Sequence, residues 1–377
     1  MDNWLLNNFL TFILAGVVVG GLIPQILIIA YRKRLFDSHD ERKIHDGAVP
    51  RLGGIAFVPG IIFSVLLILG LGIKCNAHEI REVIMQGEVG LFFLFCSLML
   101  LFLLGIADDL VEVRYRAKFI FQIIAGILTI VSGIWICNLH GFLGIGVIPD
   151  WIGWFLTVFA IVYIINALNL IDGIDGLAGS IAFLTLAYFG LAFYDADYYI
   201  YSMVAFGGAG GLLPFIYFNM YGSSKKNNKI FMGDTGSLTL GMVIAFLAVE
   251  FSNIREHGNI FADVNPITVA FSPLIIPILD QCRVFFHRIL KRRNPFMPDR
   301  CHIHHKLLDV GLSDRKTLLV ILLVDIGFVG LNWGLSVGDL NVNWIILIDF
   351  VLWTLGNMLL TKSIRKIEKK TGIILYD

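Results

Sequence analysis

Apolar residues in this chain fall in long unbroken blocks rather than at a helical or strand period. The runs from Phe9 to Ala30 and from Leu52 to Ile73 contain no formal charge, and each has about the length a helix needs to cross a bilayer. Reading every such block gives eleven predicted spans, at about 9–30, 52–73, 89–107, 119–137, 151–168, 176–194, 199–218, 236–252, 266–286, 317–336 and 343–361. The expected fold is therefore an all-α, polytopic membrane helical bundle. No segment repeats along the chain, and no low-complexity or Pro/Ser-rich linker divides it. A single integral-membrane domain over 1–377 is expected, with loops at about 31–51, 108–118, 166–176, 219–235 and 287–316. The first block lacks a basic leader and a small-residue cleavage site, so it reads as a retained helix.

Composition agrees, since 57% hydrophobic and 15% charged residues lie outside the soluble range. The formal net charge is zero, which argues against a nucleic-acid partner. How the charges are distributed says more. With the N-terminus outside, 26 of the 29 Lys and Arg fall in segments on the inner side, and only Lys74, Arg81 and Arg255 fall outside. That bias marks the inner side as cytoplasmic, and an odd number of spans puts Asp377 there too. The five Cys show no C-x-x-C or zinc spacing and read as packing residues.

Carboxylates near hydrocarbon are costly, and here they gather on the side read as cytoplasmic. Asp108 and Asp109 end the third span in GIADDL, Asp172 and Asp175 follow the fifth in NALNLIDGIDGLAGS, and Asp234 opens the eighth in KIFMGDTGSLTLG. Carboxylates at one depth repel unless a cation shares them, and Mg2+ favours hard oxygen ligands together with substrate phosphates. Each motif also has a plainer explanation, a solvated helix end for the acidic pair and an N-cap for Asp234. Asn166, Asn169 and Asp172 recur every three residues, near one face of a helix. A further loop reads PDRCHIHHKL, where Arg300, His302, His304, His305 and Lys306 sit close to Arg288, Arg292 and Arg293. This set is rich in donors and suits a diphosphate. Zinc is the weaker reading because no Cys or acidic ligand stands at a matching distance, and a solvated basic loop remains the alternative.

In this order the motifs resemble the polyprenyl-phosphate N-acetylhexosamine-1-phosphate transferase family, over about Arg42 to Ser313. The segments RKIHDGAVPRLGG and H-I-H-H are similar to the undecaprenyl-phosphate N-acetylglucosamine branch rather than to the muramoyl-pentapeptide branch, which carries three consecutive histidines. The resemblance implies a cytoplasmic active-site cleft in a bacterial inner-membrane enzyme. Its substrates would be a UDP-N-acetylhexosamine and undecaprenyl phosphate, drawn from the membrane lipid, and its cofactor Mg2+ or Mn2+. It leaves a homodimer open. It makes Asp108 and Asp109 the acidic pair, one a base on the lipid phosphate, and Asp234 the principal metal ligand. Lys118 falls near the phosphates, and Asn169, Asp172 and Asp175 line the metal and nucleotide region. Phe231 lies beside the nucleobase, while His302, His304 and His305, with Arg300, contact the donor. One departure stands out. Where the family has a Pro-Ala pair after an Asn, this chain follows Asn219 with the basic insertion MYGSSKKNNK. Two rival readings are weaker: a transporter site would lie near the midplane between repeats, and a CDP-alcohol transferase would need an Arg that DGIDGLAGS lacks.

Overall fold

The computed structural model describes residues 3–35, 49–75, 89–254, 264–292 and 301–371. Apolar blocks become helices because hydrocarbon offers no water to the backbone, whose N–H and C=O groups must bond within the segment. In chain order they are α1 (Asn3–Lys33), α2 (Phe57–Cys75), α3 (Val89–Val111), α4 (Tyr115–Val131), α5 (Asp150–Ile171), α6 (Leu177–Asp195), α7 (Tyr199–Tyr221), α8 (Gly233–Phe251), α9 (Pro266–Phe271), α10 (Ile275–Leu290), α11 (Ile303–Asp309), α12 (Asp314–Val337) and α13 (Val342–Thr371). Among the described residues ten stretches are long and apolar enough to cross a membrane, and β pairing is confined to an isolated bridge between Asn138 and Val147. The protein is an all-α, multi-pass membrane protein.

Hydropathy locates the blocks well and their ends less well. The expected fourth span, 119–137, is instead α4, a 17-residue helix that starts and stops earlier. It ends at Ser132 and Gly133, the latter at φ +93°, a left-handed conformation that closes a helix. At 17 residues α4 sits at the lower limit for a span. The ninth span is one 25-residue stretch, Pro266–Leu290, broken by a 3-10 turn over Ser272–Leu274, where Pro273 has no N–H to continue the ladder. Helices α1 and α13 run to Lys33 and Thr371, beyond their apolar blocks, because helices continue into water where composition no longer marks them.

Helix α8 is the axis of the bundle. Nearly all its residues from Thr235 to Phe251 are buried, the signature of a helix enclosed on every side. It packs between α3 and α5, while α1 lies along α7 and α7 along α6. Outward-facing Val17, Phe92, Leu103 and Phe155 are exposed and form part of a lipid-facing surface. A polar seam ties the last two helices in. Asn332 on α12 donates to Asp349 on α13 at 2.9 Å and to Ser272 at 3.1 Å, the kind of interhelical bond that substitutes for the missing hydrophobic drive inside a membrane.

Candidate active site

Four helix termini meet at one end of the bundle, the C-termini of α3 and α5 and the N-termini of α4 and α8. The amides at the start of α8 have no intrahelical partner, and a carboxylate from another helix takes them. Asp109 accepts from the backbone N–H of Asp234 at 2.7 Å and of Thr235 at 3.0 Å, and from the Thr235 hydroxyl at 2.5 Å. Both of its oxygens are thereby committed. Gly233 makes the approach possible, with φ at +72°. A Cβ there would lie 2.0 Å from the Arg51 carbonyl oxygen and 2.7 Å from Asp109 Oδ2, so only glycine fits.

Asp234 is therefore not the cap of its own helix, and its carboxylate is turned to neighbours. Lys118, on the first turn of α4, reaches Asp234 Oδ2 at 2.8 Å and also pairs with Asp108 Oδ2. Asn169, near the end of α5, donates through Nδ2 to Asp234 Oδ1 and, at 2.7 Å, to the Ser237 hydroxyl. The other Asp108 oxygen accepts the Val113 N–H at 2.7 Å. One ammonium thus bridges two carboxylates. Adjacent in sequence, Asp108 and Asp109 point about 100° apart around a helix, one towards Lys118 and the other towards α8. Asn166, one turn earlier on α5, has a different partner and donates to Gln122 on α4 at 2.8 Å.

A cleft of about 360 Å³ opens beside this network, lined among others by Arg51, Asn169, Asp172, Asp175, Phe231 and Asp234. Its floor is laced by backbone bonds, from Phe231 N to Pro50 O (2.9 Å), Gly53 N to Phe231 O (2.9 Å) and Gly54 N to Met232 O (2.8 Å). Those bonds fix the R-L-G-G and F-M-G-D segments against each other. Asp172 follows the last residue of α5. Burial, and then the charge of Asp234, push its carboxyl up to about 7 against the pull of Arg51. Asp175 pairs with Lys229.

The histidine motif lies on the short helix α11 at the edge of this site. A Cβ on Gly173 would sit 2.0 Å from His304 Nε2, so D-G-I-D-G closes against H-I-H-H only because residue 173 is glycine. His304 is 1% exposed, and burial, with His305 and His302 beside it, lowers its pKa to about 3. Its ring fills the space that the missing Gly173 side chain leaves open. His305 packs on His304 with ring centroids 4.2 Å apart. Arg300 lies outside the described residues.

Three further residues hold the site together, of which the sequence motifs named Asn219 and the insertion that contains Lys229 but not Asp280. Asp280 on α10 accepts from His302 Nδ1 at 2.9 Å, from the Ile303 N–H at 3.2 Å and from Arg283 at 2.7 Å. Its signal was a lone carboxylate inside an apolar block. Asn219 accepts from Gly176 N at 2.5 Å and donates to Ile230 O at 2.9 Å, bracing the two halves of the cleft whatever follows it in sequence. Lys229 belongs to the basic insertion. Removing the carboxylate in Asp280→Ala takes the counter-charge from Arg283, which keeps the Cys301 carbonyl, and the acceptor from His302 and the Ile303 amide, and is expected to cost about 2–4 kcal/mol. That loss would be read as a lower melting temperature in detergent, with Asp280→Asn intermediate.

Among the described residues no three acidic, His or Cys side chains converge as a ready-made metal cage. Mg2+ does not need one, because it binds through one or two carboxylates with phosphates and water completing the shell. Asp234 and Asp172 offer hard oxygens at the cleft, and the Asp172 carboxyl is pushed up first by burial and only then by the charge of Asp234. The residues present fit such an ion.

Residues 91–252 match the model of glycosyl transferase family 4, and the chain belongs to that family. It is 31% identical over 334 residues, 87% of this chain and 84% of the relative, to a protein of Bacillus subtilis (strain 168) named a probable undecaprenyl-phosphate N-acetylglucosaminyl 1-phosphate transferase. It is 29% identical over 331 residues to the undecaprenyl-phosphate alpha-N-acetylglucosaminyl 1-phosphate transferase of Salmonella typhi, covering 86% of this chain and 83% of that one. The enzyme of the same name in Escherichia coli (strain K12) is 28% identical over 330 residues, again 86% and 83% of the two chains.

Proposed function

We propose that this protein transfers N-acetylglucosamine 1-phosphate from UDP-N-acetylglucosamine to undecaprenyl phosphate and releases UMP, at the cytoplasmic face of a bacterial inner membrane. The relatives' names support the sugar and the lipid, and the basic bias of the loops on the side of the site supports the face. The observation that carries the reading is the Asp234 carboxylate held between Lys118 and Asn169 at the rim of a cleft that also presents Arg51 and Phe231. Such an arrangement orients phosphates and neutralises their charge, which is most of what phosphoryl transfer requires.

Each side chain then has a part. Lys118 offers its charge to the phosphates and is kept in place by Asp108. Asp109 works from behind, fixing the start of α8 so that Asp234 faces the cleft. Phe231 supplies a flat surface for a base, and Arg51 a cation at the cleft wall. Mg2+, held by Asp234 with Asp172, would add charge neutralisation at the diphosphate. The lipid phosphate needs little help from a base, because a phosphate monoester with a second pKa near 6 is largely dianionic at neutral pH.

The test is a panel of UDP-sugars with undecaprenyl phosphate and purified enzyme, following lipid-linked product. UDP-N-acetylglucosamine is expected to react. Product from UDP-N-acetylmuramoyl-pentapeptide would move the protein to the other branch.

The Asp172 carboxyl gives a pH test of the same site. Its pKa in the folded protein, about 7, lies above the unfolded value, so between the two the folded state binds more protons and stability falls as pH rises. Relative to wild type, Asp172→Asn is therefore expected to gain stability between pH 5 and pH 8. In metal-free detergent solution the melting-temperature difference would shift by about 2–5 °C in favour of the variant. A difference that stays constant over that range would contradict the assignment.

A further inference from the structure

The basic insertion after Asn219 sets one of its lysines against two residues of the cleft wall, Asp175 and Phe231, by a specific local device. Ser223 N donates to Asn228 Oδ1 at 2.7 Å, and Asn228 N returns a bond to Ser223 O at 3.3 Å. This clasp closes the excursion over Ser224–Lys226 at its base. The chain re-enters at Lys229, where Asn219 holds the next carbonyl, Ile230 O, and Pro50 O holds the N–H of Phe231. Lys229 is consequently not a solvated loop charge. Its ammonium pairs with Asp175 and stands 5.6 Å from the centroid of the Phe231 ring, within cation–π range. Phe231 and Asp175 both line the cleft.

We propose that Lys229 is a specificity-determining residue that reads the edge of a pyrimidine base, selecting uracil over cytosine. The proposal rests on the reading that a uridine nucleotide lies in this cleft with its base against Phe231. An ammonium has three donors and no acceptor, and Asp175 engages one side of it. The remaining donors suit a ring edge that presents carbonyl oxygens, as uracil does at O4. They are mismatched to cytosine, whose N4 amino group is itself a donor. Because the lysine is anchored by Asp175 and by the closed loop, it cannot turn away to accommodate the wrong edge without breaking an ion pair.

The experiment measures binding of UMP and CMP to the purified full-length enzyme by calorimetry, for wild type, Lys229→Met, Lys229→Arg and Lys229→Gln. Wild type is expected to prefer UMP by about tenfold or more, the scale of one charge-assisted hydrogen bond. Lys229→Met is expected to weaken UMP about tenfold and leave CMP nearly unchanged, and Lys229→Arg to keep most of the preference. Lys229→Gln, whose amide can accept as well as donate, is expected to shift the ratio towards CMP, a gain that misfolding cannot imitate. Equal losses for UMP and CMP would mean that Lys229 serves only the phosphate, and an unchanged ratio in all variants would mean that another group reads the base. Either outcome overturns the proposal while leaving the uridine donor intact. Failure of the wild type to bind UMP would instead remove the uridine reading, and this proposal with it.

Discussion

Asp234→Asn is expected to lower kcat by at least about a hundredfold while the purified variant melts within a few degrees of wild type. The substitution is nearly isosteric, and the helix it belongs to is capped by Asp109 rather than by Asp234 itself, so little of the fold depends on its charge. What does depend on it is the position of Lys118, whose ammonium lies between Asp234 and Asp108. Without the second carboxylate the lysine can collapse onto Asp108 alone and leave the cleft. The same substitution takes away a hard anionic oxygen for Mg2+, so chelation of divalent ions by excess EDTA is expected to stop wild-type turnover, and added Mg2+ or Mn2+ to restore it. Asn169→Ala is expected to be milder, because it removes a donor that orients Asp234 but leaves the charge in place. Full activity in EDTA, or an Asp234→Asn enzyme within a few-fold of wild type, would contradict this account of the site.

The membrane class and the clustering of acidic motifs could be read before any coordinates, because both are written in one dimension. An apolar block is contiguous, and a carboxylate next to hydrocarbon stands out wherever it occurs. What could not be read is direction. The pair Asp108–Asp109 looks like one acidic unit in the sequence, yet successive side chains on a helix diverge, and only packing decides that Asp109 meets the bare amides of α8 while Asp108 meets Lys118. The triplet spacing of Asn166, Asn169 and Asp172 suggested one shared polar face, but the helix ends at Ile171, and the three residues have different neighbours. The H-I-H-H motif looked like a cradle of donors. Its middle histidine is buried against Gly173, because a glycine in one motif makes room for a ring from another some 130 residues away, a pairing that no local pattern encodes. The insertion after Asn219 reads in sequence only as a basic departure from the family pattern, since nothing local announces that Ser223 and Asn228 close it and set Lys229 against Asp175 and Phe231.

Radiolabelled UMP is expected to exchange into UDP-N-acetylglucosamine only when lipid is present, with exchange in rigorously lipid-free enzyme below about 1% of the complete system. The expectation follows from where the candidate nucleophiles are engaged. A covalent route would require one oxygen of Asp108 or Asp109 to attack the phosphorus bonded to the sugar, forming a phosphosugar–enzyme and expelling UMP before any lipid arrives. Asp109 has both oxygens bonded to the N-terminus of α8, and Asp108 has one on Lys118 and the other on the Val113 amide. Freeing either carboxylate would break contacts that position Asp234 or Lys118. Direct attack asks for no such rearrangement. The lipid phosphate is already a competent nucleophile, and its oxygen forms the new bond to the sugar-bearing phosphorus as the bond from that phosphorus to the oxygen carried off by UMP breaks. One diphosphate and one phosphate monoester stand on each side, so the equilibrium constant is expected to lie near unity, and UMP added to lipid product is expected to regenerate the sugar nucleotide. Both substrates must then occupy the cleft together, and the lipid-free exchange rate measures whether they do. Robust exchange without lipid would make one of the two aspartates a covalent catalyst and would require its hydrogen bonds to open during turnover.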